Sequence, residues 1–166
     1  MTTTTDLDPR LDFDKHAGAF AKAMAHLDNV ATRELDRVDF DHRLRELVRI
    51  RASQLNGCAY CVDMHSKDAR AIGETEQRVY TLPAWREAPF YSDRERAALA
   101  WTDSLTRIAE THAPDEIYAE VKAQFSDQEI ADLTVAIGMI NTWNRISIGL
   151  RSEHPHDKPA RQTEAA

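Results

Sequence analysis

Cysteine, glycine and proline are all scarce in this 166-residue chain, which has two, five and six of them. Two cysteines cannot form a disulfide framework, and a chain of this length buries enough surface to fold without one. The apolar residues recur at spacings of three and four far more than they alternate, so with so little punctuation the chain reads as helix throughout. No run of about 18 apolar residues is present, as a membrane span would require, and MTTTTDLDPR at the N-terminus carries no apolar signal-peptide core. Positive charge is in the minority, with 21 Lys and Arg against 28 Asp and Glu, a net charge of −7. Phosphate binding is driven by clustered positive charge, so neither nucleic acid nor an anionic membrane is an expected partner. The expected setting is the cytoplasm, with small molecules or proteins as partners. In that reducing compartment a lone cysteine pair is more often catalytic, redox-active or metal-binding than a permanent cross-link.

What is present is a succession of amphipathic helices. Phe20, Met24 and Leu27 repeat at helical spacing over roughly 16–35, and Leu44, Leu47, Val48 and Leu55 over roughly 41–55. Asn56-Gly57 ends the second helix, since both residues tolerate the left-handed conformation of a helix C-terminus. A third helix is expected from near Cys58 to Gly73, and a short one from Thr75 to the interruption at Pro83. REAPFYS follows as a connector. Ser92-Asp-Arg-Glu95 and Ser126-Asp-Gln-Glu129 both match the capping box. They predict helices over 93–111, with Ala97, Ala100, Trp101, Leu105 and Ile108 inward, and over 127–150. Pro114 suits the first turn of a helix running to about 124. The expected organisation is all-α, a single domain of about six to seven helices over 13–151, with flexible segments at 1–12 and 152–166.

The stretch NGCAYCVDMH, residues 56–65, holds both cysteines and a histidine. With Cys58 opening a helix, 100° per residue places Cys58, Cys61 and His65 within an arc of about 60°. A helix N-terminus favours the thiolate through its exposed amides and dipole. His65, one turn beyond Cys61, is placed to take or return a thiol proton. Glu46 lies twelve residues before Cys58, and the Asn56-Gly57 turn brings its helix back beside the third, where a carboxylate orients or charges the imidazole. Other chemistry fits the same residues. Cys58, Cys61 and His65 are acceptable zinc ligands with room for a water. A structural disulfide closing so short a loop gains only roughly 2 kcal/mol. Glu46 also pairs naturally with Arg43 or Arg49, three residues away on its helix. Arg43, Arg45, Arg49 and Arg51 read as a salt-bridged face. Trp143, Asn144 and Arg145 interrupt the last apolar helix, and Tyr60, Trp85 and Trp143 are candidates for the border of a pocket.

RELVRIRASQLNGCAYCVDMHSKDAR, residues 45–70, resembles the signature of AhpD-like alkylhydroperoxidases within the carboxymuconolactone decarboxylase family: Glu, Cys-x-x-Cys twelve residues on, then His after three more. Residues 74–106 and 140–151 extend the similarity. The resemblance implies an all-α helical bundle assembled into homo-oligomers such as trimers or hexamers, and thiol-dependent reduction of hydrogen peroxide or organic hydroperoxides without haem, metal or other cofactor. Carried over by position, Cys61 matches the peroxidatic cysteine, Cys58 the resolving cysteine, and Glu46 and His65 the proton relay. The resulting disulfide requires a dithiol reductant: a lipoyl protein, a thioredoxin-type protein or a small thiol. Tyr60 stands where better-known peroxidases of the group carry a second His. Two other functions remain open on the sequence, a redox or stress sensor with little turnover and a lyase of the decarboxylase kind using Glu46 and His65 as acid and base.

Overall fold

The computed structural model describes residues 8–154, which form eight α-helices and no strand. The expected flexible termini, 1–12 and 152–166, lie for the most part outside the described residues. α1 spans Phe13–Arg37, α2 His42–Asn56, α3 Ala59–Ala71, α4 Glu76–Thr81, α5 Asp93–Thr106, α6 Ile108–Thr111, α7 Asp115–Gln124 and α8 Asp127–Leu150; Leu82–Ala84 adds a 3-10 turn after α4. The helix expected over 93–111 is two, because the backbone leaves helical geometry at Arg107 (φ −104°, ψ 37°). Pro114 caps α7 from outside rather than sitting in its first turn.

Local chemistry sets most boundaries. Both capping boxes form, the Ser92 and Ser126 hydroxyls accepting from the Glu95 and Glu129 amides while those carboxylates accept from the Ser92 and Ser126 amides. Gly57 adopts φ 73°, ψ 30° and ends α2, as the Asn-Gly pair predicts. The connector before α5 is held by Arg96, whose guanidinium donates to the carbonyls of Trp85, Arg86, Ala88 and Tyr91.

α2 is the central element. Leu44 and Val48 join Leu35, Phe40, Trp101, Phe125 and Leu133 in the largest apolar cluster. Leu47 and Ile50 join Leu82, Trp85 and Leu99 in a second, and Ala52 meets Cys58, Cys61 and Ile140 in a third. A helix buried on several sides belongs in the interior, so the two polar side chains buried on α2, Glu46 and Ser53, need partners inside the protein.

The apolar stripe expected on α1 faces outward: Phe20 is 72% and Leu27 46% exposed, while Ala21, Ala31 and Leu35 form the buried side. Ile108 and Ile148 are likewise exposed. Helical spacing establishes that residues share a face, not the direction in which that face points. No helix of the described residues is long and apolar enough to cross a membrane.

Candidate functional site

The Asn56-Gly57 turn folds α3 back along α2, and Cys58 becomes the N-cap of α3, its amide donating to the Ser53 carbonyl at 2.9 Å. The amides of the first turn lie beside the Cys58 sulfur, and the Cys61 backbone N–H favours its ionised form. One turn on, Cys61 Sγ lies 3.0 Å from Cys58 Sγ, both thiols free and buried. The Cys61 S–H shared with Cys58 pushes the Cys58 thiol down to about 6, against the effect of burial. The same hydrogen bond, helped by burial, pushes Cys61 up. The pair therefore favours a single negative charge, with Cys58, at the helix N-terminus, the more acidic sulfur.

Glu46 and His65 meet on the facing sides of α2 and α3. His65 Nδ1 lies 2.8 Å from Glu46 Oε2, while Arg49 Nη1 donates to Glu46 Oε1 at 2.9 Å. Burial alone would raise the Glu46 carboxyl; the His65 hydrogen bond and the Arg49 and Arg45 guanidiniums outweigh it and hold the group below the usual carboxylate range. The two sequence expectations for Glu46, an ion pair with Arg49 and a contact with His65, are met by its two different oxygens. The arginines of α2 are salt-bridged as expected: Arg43 to Asp41, Arg45 to Asp36, Arg49 to Glu46 and Asp28, Arg51 to Asp103.

Cys61 and His65 share the wall of a cavity of about 540 Å³, together with Tyr60, Phe13, Trp143 and Ile140. Phe13 and Trp143 meet edge to face, 6.5 Å between ring centroids, so Trp143 borders the cavity from α8. Trp85 is instead buried in the second apolar cluster. Among the described residues, the three potential ligand atoms lying within 4.8 Å of one another come from Glu46, His65 and Asp68. The set of Cys58, Cys61 and His65 considered for zinc is not such a group. Both Glu46 oxygens are engaged by His65 and Arg49, and the Arg49 charge opposes a cation there.

One part of the site was only partly apparent in the sequence, which marked Asn144 as an interruption of the last helix but not Asn141 or Ser147. Asn141, Asn144 and Ser147, spaced by three along α8, form a polar stripe on an otherwise apolar helix. Asn56 Nδ2 donates to Asn141 Oδ1 at 2.9 Å and Asn144 Oδ1 at 2.8 Å, and Asn144 Nδ2 donates to Ser53 Oγ at 3.0 Å. This network pins the end of α2 to α8. Ser147 Oγ lies 4.0 Å from Cys61 Sγ, and the Asn144 amide and Ser147 hydroxyl both favour ionised sulfur. The three-residue spacing was the available signal.

The sequence profile of the carboxymuconolactone decarboxylase family matches residues 18–104. The uncharacterized protein YdfG of Bacillus subtilis is 51% identical over 106 residues, covering 64% of this chain and 72% of YdfG. A crystal structure of a protein of unknown function from Agrobacterium tumefaciens, named as a candidate antioxidant defence protein AhpD, superposes with a TM-score of 0.84 at 45% identity, covering 90% of this chain and 100% of that one. The debrominase Bmp8, solved with 2,3,4-tribromopyrrole, shares the fold, with a TM-score of 0.72 at 20% identity over 85% of this chain and 73% of the debrominase.

Proposed function

Since the chain belongs to the carboxymuconolactone decarboxylase family, we propose that it is a thiol-dependent peroxidase that reduces hydrogen peroxide or an organic hydroperoxide through a Cys58–Cys61 dithiol/disulfide cycle. The observation that carries this reading is the pair of free sulfurs 3.0 Å apart at a helix N-terminus, next to a buried Glu46–His65 contact of 2.8 Å. Such a pair is close enough to become a disulfide with little movement of the chain, and the lowered Cys58 thiol favours the thiolate that disulfide closure uses.

In this reading the peroxide enters the cavity walled by Cys61 and His65. Cys61 gives its proton to the His65–Glu46 pair, the Glu46 carboxylate stabilising the imidazolium that forms. The Cys61 thiolate attacks one peroxide oxygen, the O–O bond breaks, and the departing alkoxide or hydroxide takes the proton from His65. Cys61 is left as a sulfenic acid. The Cys58 thiolate then attacks Cys61 Sγ, expelling hydroxide and closing the disulfide. A dithiol reductant restores the resting pair. The acidity of Cys58 suits it to this second step, while Cys61 depends on His65 for its own ionisation.

Purified protein is expected to consume peroxide when supplied with a dithiol, and Cys61→Ser to abolish turnover. Equal turnover in Cys61→Ser overturns the proposal. Activity on a carboxylated lactone that survives loss of both cysteines would establish the lyase reading instead.

A further inference from the structure

The two sulfurs face different cavities. Cys61 lines the first, with His65, and Cys58 does not. Cys58 lines a second, of about 780 Å³, with Gly57, Ala59 and Ile148, and neither Cys61 nor His65 reaches it. The two spaces adjoin, with Pro9, Tyr60, Ser147, Arg151, Ser152 and Glu153 lining both. We propose that the second cavity is the reductant site, where a slender dithiol attacks Cys58 Sγ of the oxidised protein, apart from the route by which peroxide meets Cys61. The inference rests on the dithiol cycle proposed above.

Three features favour this division. Thiol–disulfide exchange needs the attacking sulfur in line with the bond it breaks. Attack on Cys58 comes from the side away from Cys61, and the second cavity is the one that Cys58 lines and Cys61 does not. The nucleophile arrives as a thiolate, and Gly57, Cys58 and Ala59 place it at the start of α3, where the positive end of the helix dipole stabilises negative charge. Attack there expels Cys61, the less acidic sulfur of the pair, and His65 on the same cavity wall supplies the proton that this departure needs. Cys58 is 1% exposed, so the surface of a folded protein does not reach it and a slender arm does.

A reductant thiol loses its proton to solvent and bonds as a thiolate to Cys58 Sγ, the Cys58–Cys61 bond breaks, and Cys61 leaves as a thiolate that takes a proton from His65. The second thiol of the reductant loses its proton to solvent and attacks the reductant sulfur of the mixed disulfide, closing the reductant's own disulfide and releasing Cys58 as a thiolate. Two electrons pass from dithiol to protein, two reductant protons go to solvent, and the proton that His65 gives to Cys61 is replaced from solvent.

The test starts from protein oxidised with diamide, so it is independent of any reaction with peroxide. Brief exposure to 2-mercaptoethanol, acid quenching, blocking with N-ethylmaleimide and peptide mass spectrometry locate the mixed disulfide. It is expected on Cys58 in at least about tenfold excess over Cys61. An adduct mainly on Cys61, or no disulfide after diamide, overturns the inference. Ile148→Trp narrows the second cavity alone and Ile146→Trp the first alone. The ratio of the rate of reduction by dithiothreitol to the rate of oxidation by peroxide should fall about tenfold in Ile148→Trp and rise in Ile146→Trp. Equal ratios overturn the two-route arrangement, as does reduction by a folded thioredoxin-type protein as fast as by dithiothreitol. A protein that is inert to peroxide but forms the Cys58 adduct would overturn the peroxidase reading alone.

Discussion

His65 Nδ1 lies 2.8 Å from Glu46 Oε2, so two side chains nineteen residues apart in the chain share one buried hydrogen bond between α2 and α3. Arg49 holds the other oxygen of the same carboxylate at 2.9 Å, which keeps Glu46 charged in an interior that would otherwise favour its neutral form.

Replacing Glu46 by Gln tests that arrangement. The variant loses the charge that stabilises an imidazolium and leaves Arg49 with Asp28, at 3.6 Å, as its carboxylate partner. Peroxide turnover is expected to fall by about a hundredfold or more, and urea unfolding to show a loss of about 1–3 kcal/mol near neutral pH. Because the Glu46 carboxyl is held down in the folded state, its stabilisation is complete above the unfolded carboxylate range and disappears as pH falls through the lower folded value. The stability gap between wild type and Glu46→Gln should therefore narrow in acid; a gap that widens would contradict the assignment.

The cysteine pair predicts one thiolate of unusual acidity. Alkylation of reduced protein should titrate with a midpoint of about 6, and peptide mapping should place the label on Cys58. Since the Cys61 S–H lowers Cys58, Cys61→Ala removes the donor and moves the Cys58 midpoint up toward the ordinary thiol range. An unmoved midpoint in that variant would mean that the helix N-terminus alone supplies the ionisation.

Asn144 couples the fold to the sulfurs. It is fully buried and bonds both Asn56 and Ser53, so Asn144→Ala removes one hydrogen bond from each, leaving Asn56 on Asn141 and Ser53 on the Arg49 carbonyl, and opens a cavity. Thermal or urea denaturation should register a loss of about 1–3 kcal/mol. The same variant should raise the Cys58 midpoint in the alkylation titration, an effect that loss of stability alone does not produce.

Gly57 is the hinge between α2 and α3. Its φ of 73° is strained for any residue with a side chain, and a Cβ there meets no atom within 4 Å. Gly57→Ala is thus expected to cost about 1–2 kcal/mol from backbone conformation alone, measured by urea denaturation, and to slow disulfide formation by displacing the start of α3.

Much of the secondary structure was legible in the chain because its signals are local. A Ser three residues before a Glu satisfies amides within one turn, and Asn-Gly accepts a left-handed backbone wherever it stands, so both long capped helices and the α2–α3 turn were recoverable from a few adjacent letters. The cysteine pair was legible for the same reason, since Cys58 and Cys61 are neighbours on one turn. Departures arose where the deciding contact is distant. The Phe20, Met24 and Leu27 stripe had the right spacing, yet α1, which packs along α8, buries Ala21, Ala31 and Leu35 and leaves Phe20 and Leu27 outside.

What belongs to the chain alone is therefore the all-α character, most helix ends, the surplus of negative charge and a thiol pair at a helix start, all set by interactions within a few residues. Tertiary structure decided which oxygen of Glu46 meets His65, which brings Asn144 and Ser147 to the sulfurs, and which opens Cys58 and Cys61 to separate cavities. Those outcomes depend on how α8 packs against α2 and α3, some ninety residues away, and packing between distant segments is settled by the whole set of buried surfaces at once.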